Sequence, residues 1–145
     1  MLKLKAILFD IDGVLVESAR GNIALYKTML ERAGYEVPPD EAIIEILHMP
    51  LWYGIKELIG STDKTEIDRV RDIINEPGVS HTSLLEFPHN LEVTLEALRR
   101  RYRLGIVTSR NNAGVRQIFD QREIEHLFEV VVAFEDVENP KPHPE

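Results

Sequence analysis

The run LKAILF at residues 4–9 stops abruptly at two acids, Asp10 and Asp12, with Gly13 behind them. Consecutive apolar residues over this length suit a β-strand covered on both faces, as in a parallel sheet. A parallel sheet in turn requires long crossover connections, usually helical, between its strands. Packing alone does not select two neighbouring carboxylates at a strand end, because they repel each other and demand solvation. Gly13 lets the chain turn sharply straight after them.

The remaining pattern supplies the crossovers. Ser18 is a candidate cap for a helix over 19–33, with Ile23, Tyr26, Leu30 and Ala33 on one side and Gly34 as its stop. VPPD at 37–40 breaks the chain, and Asp40 is a candidate cap for EAIIEIL. LWYGIKELIG reads as a short helix ending at Gly60, and Ile67, Val70 and Ile74 mark another that NEPG at 75–78 ends. Residues 19–75 therefore read as all-helical. Beyond them come a helix with Leu91, Leu95, Leu98 and Tyr102 on one stripe, a strand at 104–108, a helix with Val115, Ile118 and Phe119, and a strand at 130–134. Strands alternating with helices predict an α/β fold with a parallel sheet. The helical block is too long for a simple crossover, so an inserted helical domain is predicted over 16–86. The α/β core is then 1–15 plus 87–145.

Composition narrows the function classes. The 145 residues include no cysteine, which removes disulfides, thiolate catalysis and thiolate metal sites. A formal net charge of −8 argues against a nucleic-acid backbone or an anionic membrane as the main partner. The absence of an apolar run of about 18 residues predicts no membrane span. An acid at position 10 does not suit a secretory signal, so a cytoplasmic location is the expectation.

In open parallel sheets, ligands bind beyond the carboxyl ends of the strands. Asp10 and Asp12 follow the first strand, Thr108 and Ser109 the second, and Lys141 lies in the loop after the third. Each suits phosphoryl transfer. One carboxylate can attack phosphorus, and a second can hand a proton to the leaving oxygen and then take one from water. A hydroxyl can bind a phosphoryl oxygen, and an ammonium group can offset the charge on the others. A hard cation with oxygen ligands, Mg²⁺ above all, would gather the acids and the phosphate. Taken singly, each signal has a plainer reading. Asp-x-Asp-Gly also makes turns, Thr108 also caps helices, and Lys141 also suits a solvated loop.

Together, ILFDIDGVLVES, LGIVTSR and NPKPHPE resemble three motifs of the haloacid dehalogenase superfamily, in its phosphoglycolate-phosphatase-like branch. The resemblance implies a Rossmann-like core with an inserted all-helical cap. It implies Asp10 as nucleophile and Asp12 as general acid/base. The Asp10 carboxylate and the Asp12 main-chain carbonyl are implied as Mg²⁺ ligands, with Thr108 and Ser109 at the phosphate-binding motif and Lys141 as charge-balancing cation. An acid at position 12 points to phosphate ester hydrolysis of a small phosphorylated metabolite, or to a phosphomutase. Ser109 stands where relatives often have asparagine, and Glu17 where they often have aspartate.

The family continues past the lysine loop into a further strand bearing more acids, whereas this sequence ends at Glu145. The expectation is an incomplete sheet of about three strands, an open edge on the first, and a homodimer that could cover it. Glu135, Asp136, Glu138 and Glu145 are uncertain substitutes for the further acids, so weak Mg²⁺ binding and impaired turnover are expected. A catalytically silent module that binds a phosphate or a partner protein is the rival reading. Arg99–Arg101 reads as a solvated helix end. The five histidines show no metal-ligand spacing, and Trp52 and Tyr53 read as core rather than substrate contacts.

Overall fold

The computed structural model describes residues 4–145. Three parallel strands, β1 (Ala6–Phe9), β2 (Arg103–Val107) and β3 (Val130–Val132), form one sheet in the order β1-β2-β3. The register pairs Phe9 with Ile106, and Ile106 with Val131, so the carboxyl ends of all three strands lie along one side. Six α-helices accompany them among the described residues: α1 (Ala19–Ala33), α2 (Asp40–Ile46), α3 (Leu51–Ile59), α4 (Lys64–Asp72), α5 (Leu91–Arg99) and α6 (Asn112–Gln121).

Contacts divide the chain into two compact units, one of residues through Glu17 together with Glu86–Glu145, the other Ser18–Leu85. In the first, β2 lies between its neighbours and carries the fully buried Leu104 and Ile106, while Val115, Ile118 and Phe119 of α6 turn inward. The N-terminal end of α6 is capped by Asn111, whose side chain accepts from the Gly114 N–H at 2.7 Å. Such a cap is worth about 1 kcal/mol. The two passes of the chain into this unit are stitched together by reciprocal bonds, Glu17 N–H to the Glu86 carbonyl at 2.8 Å and Glu86 N–H to the Glu17 carbonyl at 3.0 Å.

One expectation is corrected here: β1 is not covered on both faces. Leu8 is 65% exposed and Val130 is 49% exposed. They sit in one row across the sheet with Gly105 between them. A methyl group at Gly105 would meet both side chains at 2.9 Å, so the row closes over a position where only hydrogen fits. The apolar run of β1 reflects a strand with one exposed face among the described residues, not a strand sandwiched on both.

The helical unit packs Leu25, Tyr26, Met29, Leu30, Ile43, Ile46, Ile55, Ile67, Val70 and Ile73 into a continuous core. The buried stripe of α1 is Leu25, Tyr26, Met29 and Leu30, so the predicted Ile23 and Ala33 lie on its edge. Ser18 occupies the cap position of α1, but its side chain makes no capping bond. Its hydroxyl is instead within 3.4 Å of the Asn22 amide. Asp40 is the first residue of α2 rather than its cap and forms an ion pair with Lys27. Gly34 and Gly60 end their helices in the left-handed conformation, at φ 85° and 64°, as their residue type suggests. Trp52 packs against this core and donates its indole N–H to Asp68 at 3.1 Å, whereas Tyr53 is 41% exposed.

Tyr26 is buried, and burial pushes its hydroxyl well above the ordinary phenol range. A Cβ at Gly54 would overlap that hydroxyl. Gly54→Ala therefore costs about 1–3 kcal/mol of overpacking, despite the usual gain of up to about 1 kcal/mol from replacing a helical glycine. Urea denaturation should show a lower midpoint for Gly54→Ala and recovery of part of the loss in Gly54→Ala/Tyr26→Phe.

Candidate active site

The first strand hands over to a tight loop. The Ile11 carbonyl accepts from Leu15 N–H at 2.9 Å and Val16 N–H at 3.1 Å, and Gly13 N–H returns to the Val16 carbonyl at 2.8 Å. This closure needs a positive φ at Gly13, which is +72°. It buries Ile11, Leu15 and Val16 and leaves the two acids half-buried on the other side of the turn. Asp10 Oδ1 accepts the Ile11 N–H at 2.8 Å, which fixes the carboxylate against its own backbone.

Lys141 reaches this carboxylate from the loop after β3. Its Nζ lies 3.3 Å from Asp10 Oδ1 and donates to the Val107 carbonyl at 2.9 Å. Val107 ends β2, one position beyond the Ile106 that pairs with Phe9. One ammonium group thus bridges the carboxyl ends of β1 and β2. The loop that bears it is tied by Glu145, whose carboxylate accepts from the N–H groups of Glu138 at 2.9 Å and Asn139 at 3.1 Å and from the Asn139 amide at 2.8 Å. Bonding to the Glu138 N–H, then to the Asn139 side chain, holds the Glu145 carboxyl below its ordinary pKa.

Thr108 is buried at the tip of β2, its N–H donating to the Val132 carbonyl at 3.0 Å. Its hydroxyl accepts the Arg110 N–H at 3.2 Å. Ser109 beside it is half-buried. Thr108, Ser109, Val132, Ala133 and Lys141 are among the residues lining a cavity of about 70 Å³. Neither Asp10 nor Asp12 lines it.

Arg110 is the residue that the sequence reading did not single out. Its Nε donates to Asp12 Oδ2 at 2.8 Å and its Nη2 to Asp12 Oδ1 at 2.7 Å, a bidentate pair. The guanidinium side chain is only 11% exposed. In the sequence it is only a basic residue two positions after Thr108; the adjacency of β1 and β2 is what brings it to Asp12.

The five predicted residues are not all in mutual contact, but they lie in one unit at neighbouring strand ends. Asp10 joins Lys141, and Thr108 joins Asp12 through Arg110. The four later acids do not complete a metal cage. Glu135 accepts the Asn112 N–H at 2.8 Å, Asp136 the Ala133 N–H at 2.7 Å, and Glu145 ties its own loop. Among the described residues no cluster of three or more His, Asp or Glu side chains is placed to hold a metal. What remains, the half-buried Asp10 carboxylate at the turn, fits only a cation that keeps most of its waters. Mg²⁺ at phosphate sites often takes only one or two carboxylates from the protein.

Residues 7–145 match the haloacid dehalogenase-like hydrolase family. The chain belongs to that family. Similar curated relatives include the pyrophosphatase PpaX of Bacillus mycoides, 26% identical over 145 residues, and that of Oceanobacillus iheyensis, 27% identical over 149. Each match covers 99% of this chain and 66% of the relative, so the chain spans just under two thirds of those proteins. A solved haloacid dehalogenase-like hydrolase of Bacteroides fragilis is similar with a TM-score of 0.85 and 25% identity, over 98% of this chain and 69% of that one. A Lactobacillus plantarum structure assigned as a phosphoglycolate phosphatase has a TM-score of 0.80 at 24% identity, covering 99% of this chain and 68% of its own, a likeness of fold. These neighbours make the three-stranded sheet part of a Rossmann-like α/β family core. No helix among the described residues is long and apolar enough to cross a membrane.

The two polar links differ in what they contribute to folding. The Lys141–Asp10 pair has side chains 36% and 43% exposed, so Lys141→Met should cost no more than about 1 kcal/mol. Thr108→Val leaves the Arg110 N–H without its acceptor in a partly buried position, at a cost of about 1–3 kcal/mol. Thermal denaturation of the two variants should rank them in that order.

Proposed function

We propose that this chain carries the phosphoryl-transfer site of a Mg²⁺-dependent phosphatase acting on a small phosphorylated compound through an aspartyl phosphate. The observation that carries the reading is the Lys141 ammonium 3.3 Å from Asp10 Oδ1 while bonded to the tip of the neighbouring strand. A cation in that place offsets charge on the attacking carboxylate and on the equatorial phosphoryl oxygens. Asp10 attacks phosphorus as the bond to the leaving oxygen breaks, and Asp12 gives that oxygen its proton. Asp12 then takes a proton from water as the water attacks the Asp10 phosphate and frees Asp10. Thr108 and Ser109 supply hydroxyls for the phosphoryl oxygens. The Asp10 carboxylate and the Asp12 main-chain carbonyl are the groups that would hold Mg²⁺, which supplies neutralising charge at the phosphate.

The helical unit, residues 18–85, is read as the cap that chooses the substrate, a role carried over from the family resemblance. Phosphoglycolate is the substrate expected from that resemblance. Inorganic pyrophosphate is a second reading, favoured by relatives named as pyrophosphatases. A phosphomutase would pass the phosphoryl group to a second hydroxyl instead of to water. Pairing of a second copy along β1 is the partner reading, as that strand has a neighbour on one side only among the described residues.

The test is release of phosphate by the 145-residue chain with Mg²⁺, offered phosphoglycolate, pyrophosphate and 4-nitrophenyl phosphate in parallel. Activity should vanish in Asp10→Asn and with chelator. Asp12→Asn should trap ³²P on Asp10 after acid quench. Equal background from the parent chain and Asp10→Asn would hand the site to the silent, phosphate-binding reading.

A further inference from the structure

The bidentate pair between Arg110 and Asp12 is more than a generic charge contact. The arginine is fixed at every level. Its N–H donates to the Thr108 hydroxyl at 3.2 Å, and its carbonyl accepts the Phe134 N–H at 2.8 Å. Its side chain is 11% exposed, and Asn111, next in the chain, caps α6. A guanidinium held this way has one direction in which to present its planar fork. Asp12, 33% exposed on a tight loop, receives that fork on both oxygens, at 2.8 and 2.7 Å. An aspartate side chain that is not clamped samples several rotamers, and an acid/base group that samples them loses much of its effect.

We infer that Arg110 is the positioning residue for the proton-handling carboxylate: its pinned guanidinium sets the plane and direction in which Asp12 faces the leaving oxygen. This rests on the functional reading above and deepens it. The fork occupies one lone pair on each Asp12 oxygen, and a carboxylate has about four such sites. Proton flow is unchanged: Asp12 gives a proton to the leaving oxygen as the P–O bond breaks and regains one from the attacking water. Arg110 itself neither gains nor loses a proton. Lysine cannot reproduce the role, because an ammonium is a point charge without a planar fork.

The experiment follows kcat/KM for a series of substituted phenyl phosphates, from 4-nitrophenyl, whose oxygen leaves readily unprotonated, to phenyl, whose oxygen needs the proton. In Arg110→Gln the loss should be about tenfold or more on phenyl phosphate, within the range of general-acid contributions, and under about threefold on 4-nitrophenyl phosphate. The dependence on leaving group thus steepens. Arg110→Lys should fall between parent and Arg110→Gln. In the Asp12→Asn background, adding Arg110→Gln should change neither rate nor slope, because residues acting through one group are non-additive. Circular dichroism and urea midpoints confirm that each variant is folded. If Arg110→Gln is not folded, Arg110→Lys carries the comparison. Equal losses on all substrates, or a further loss in the Asp12→Asn background, overturn the inference and leave a structural or direct phosphate role. Parent turnover equal to that of Asp10→Asn overturns the functional reading and the inference together.

Discussion

Two carboxylates at the end of one strand repel each other and would repel a phosphate still more. The site depends on how the fold answers that repulsion. Each acid has its own cation from a different direction: Lys141 from beyond β3 for Asp10, and Arg110 from beyond β2 for Asp12. The two pairs are not interchangeable. The ammonium is a point charge beside the Asp10 carboxylate, while the guanidinium is a planar fork on both oxygens of Asp12. Local charge is thereby balanced in a chain whose formal net charge is −8.

The parallel sheet makes this arrangement possible. Because the carboxyl ends of its strands share one side, loops far apart in sequence deliver their side chains to neighbouring points. The register that pairs Phe9 with Ile106 sets Asp10 near Val107, and the Val107 carbonyl is the anchor for Lys141. Buried Ile106 and Leu104 hold that strand in place from below. The helical unit has its own core of ten buried side chains.

Much of this was legible in the sequence. Apolar runs ending in acids or hydroxyls located β1 and β2 and their tips, because that contrast marks the point where a packed element gives way to a polar turn. Helix ends marked by Gly34 and Gly60 were readable because a left-handed residue has few alternatives. Three things were not readable. Burial of β1 was overestimated, since an apolar run does not say whether anything lies against each face, and Leu8 is largely exposed. Ser18 sits at the cap position of α1 and Asp40 one residue inside α2, and their side chains bond elsewhere, to Asn22 and Lys27. Arg110 was overlooked because a single arginine after a strand resembles any solvated cation until its 2.7 and 2.8 Å bonds to Asp12 are seen. Local pattern encodes periodicity and chain reversal well, but a pairing between positions 12 and 110 belongs to the folded topology alone.

The double bond-making of Lys141 has a mechanical meaning as well as an electrical one. Its amine spans the Val107 main-chain oxygen on one strand and the Asp10 carboxylate at the end of the next, so the segment from Val137 to Glu145 works as a strut. Tilting or shortening that strut would change the potential at the Asp10 carboxylate without displacing any residue of the sheet. Sequence drift in this outer loop, far from the apolar interior, is therefore a direct way for such a protein to tune the charge environment of Asp10.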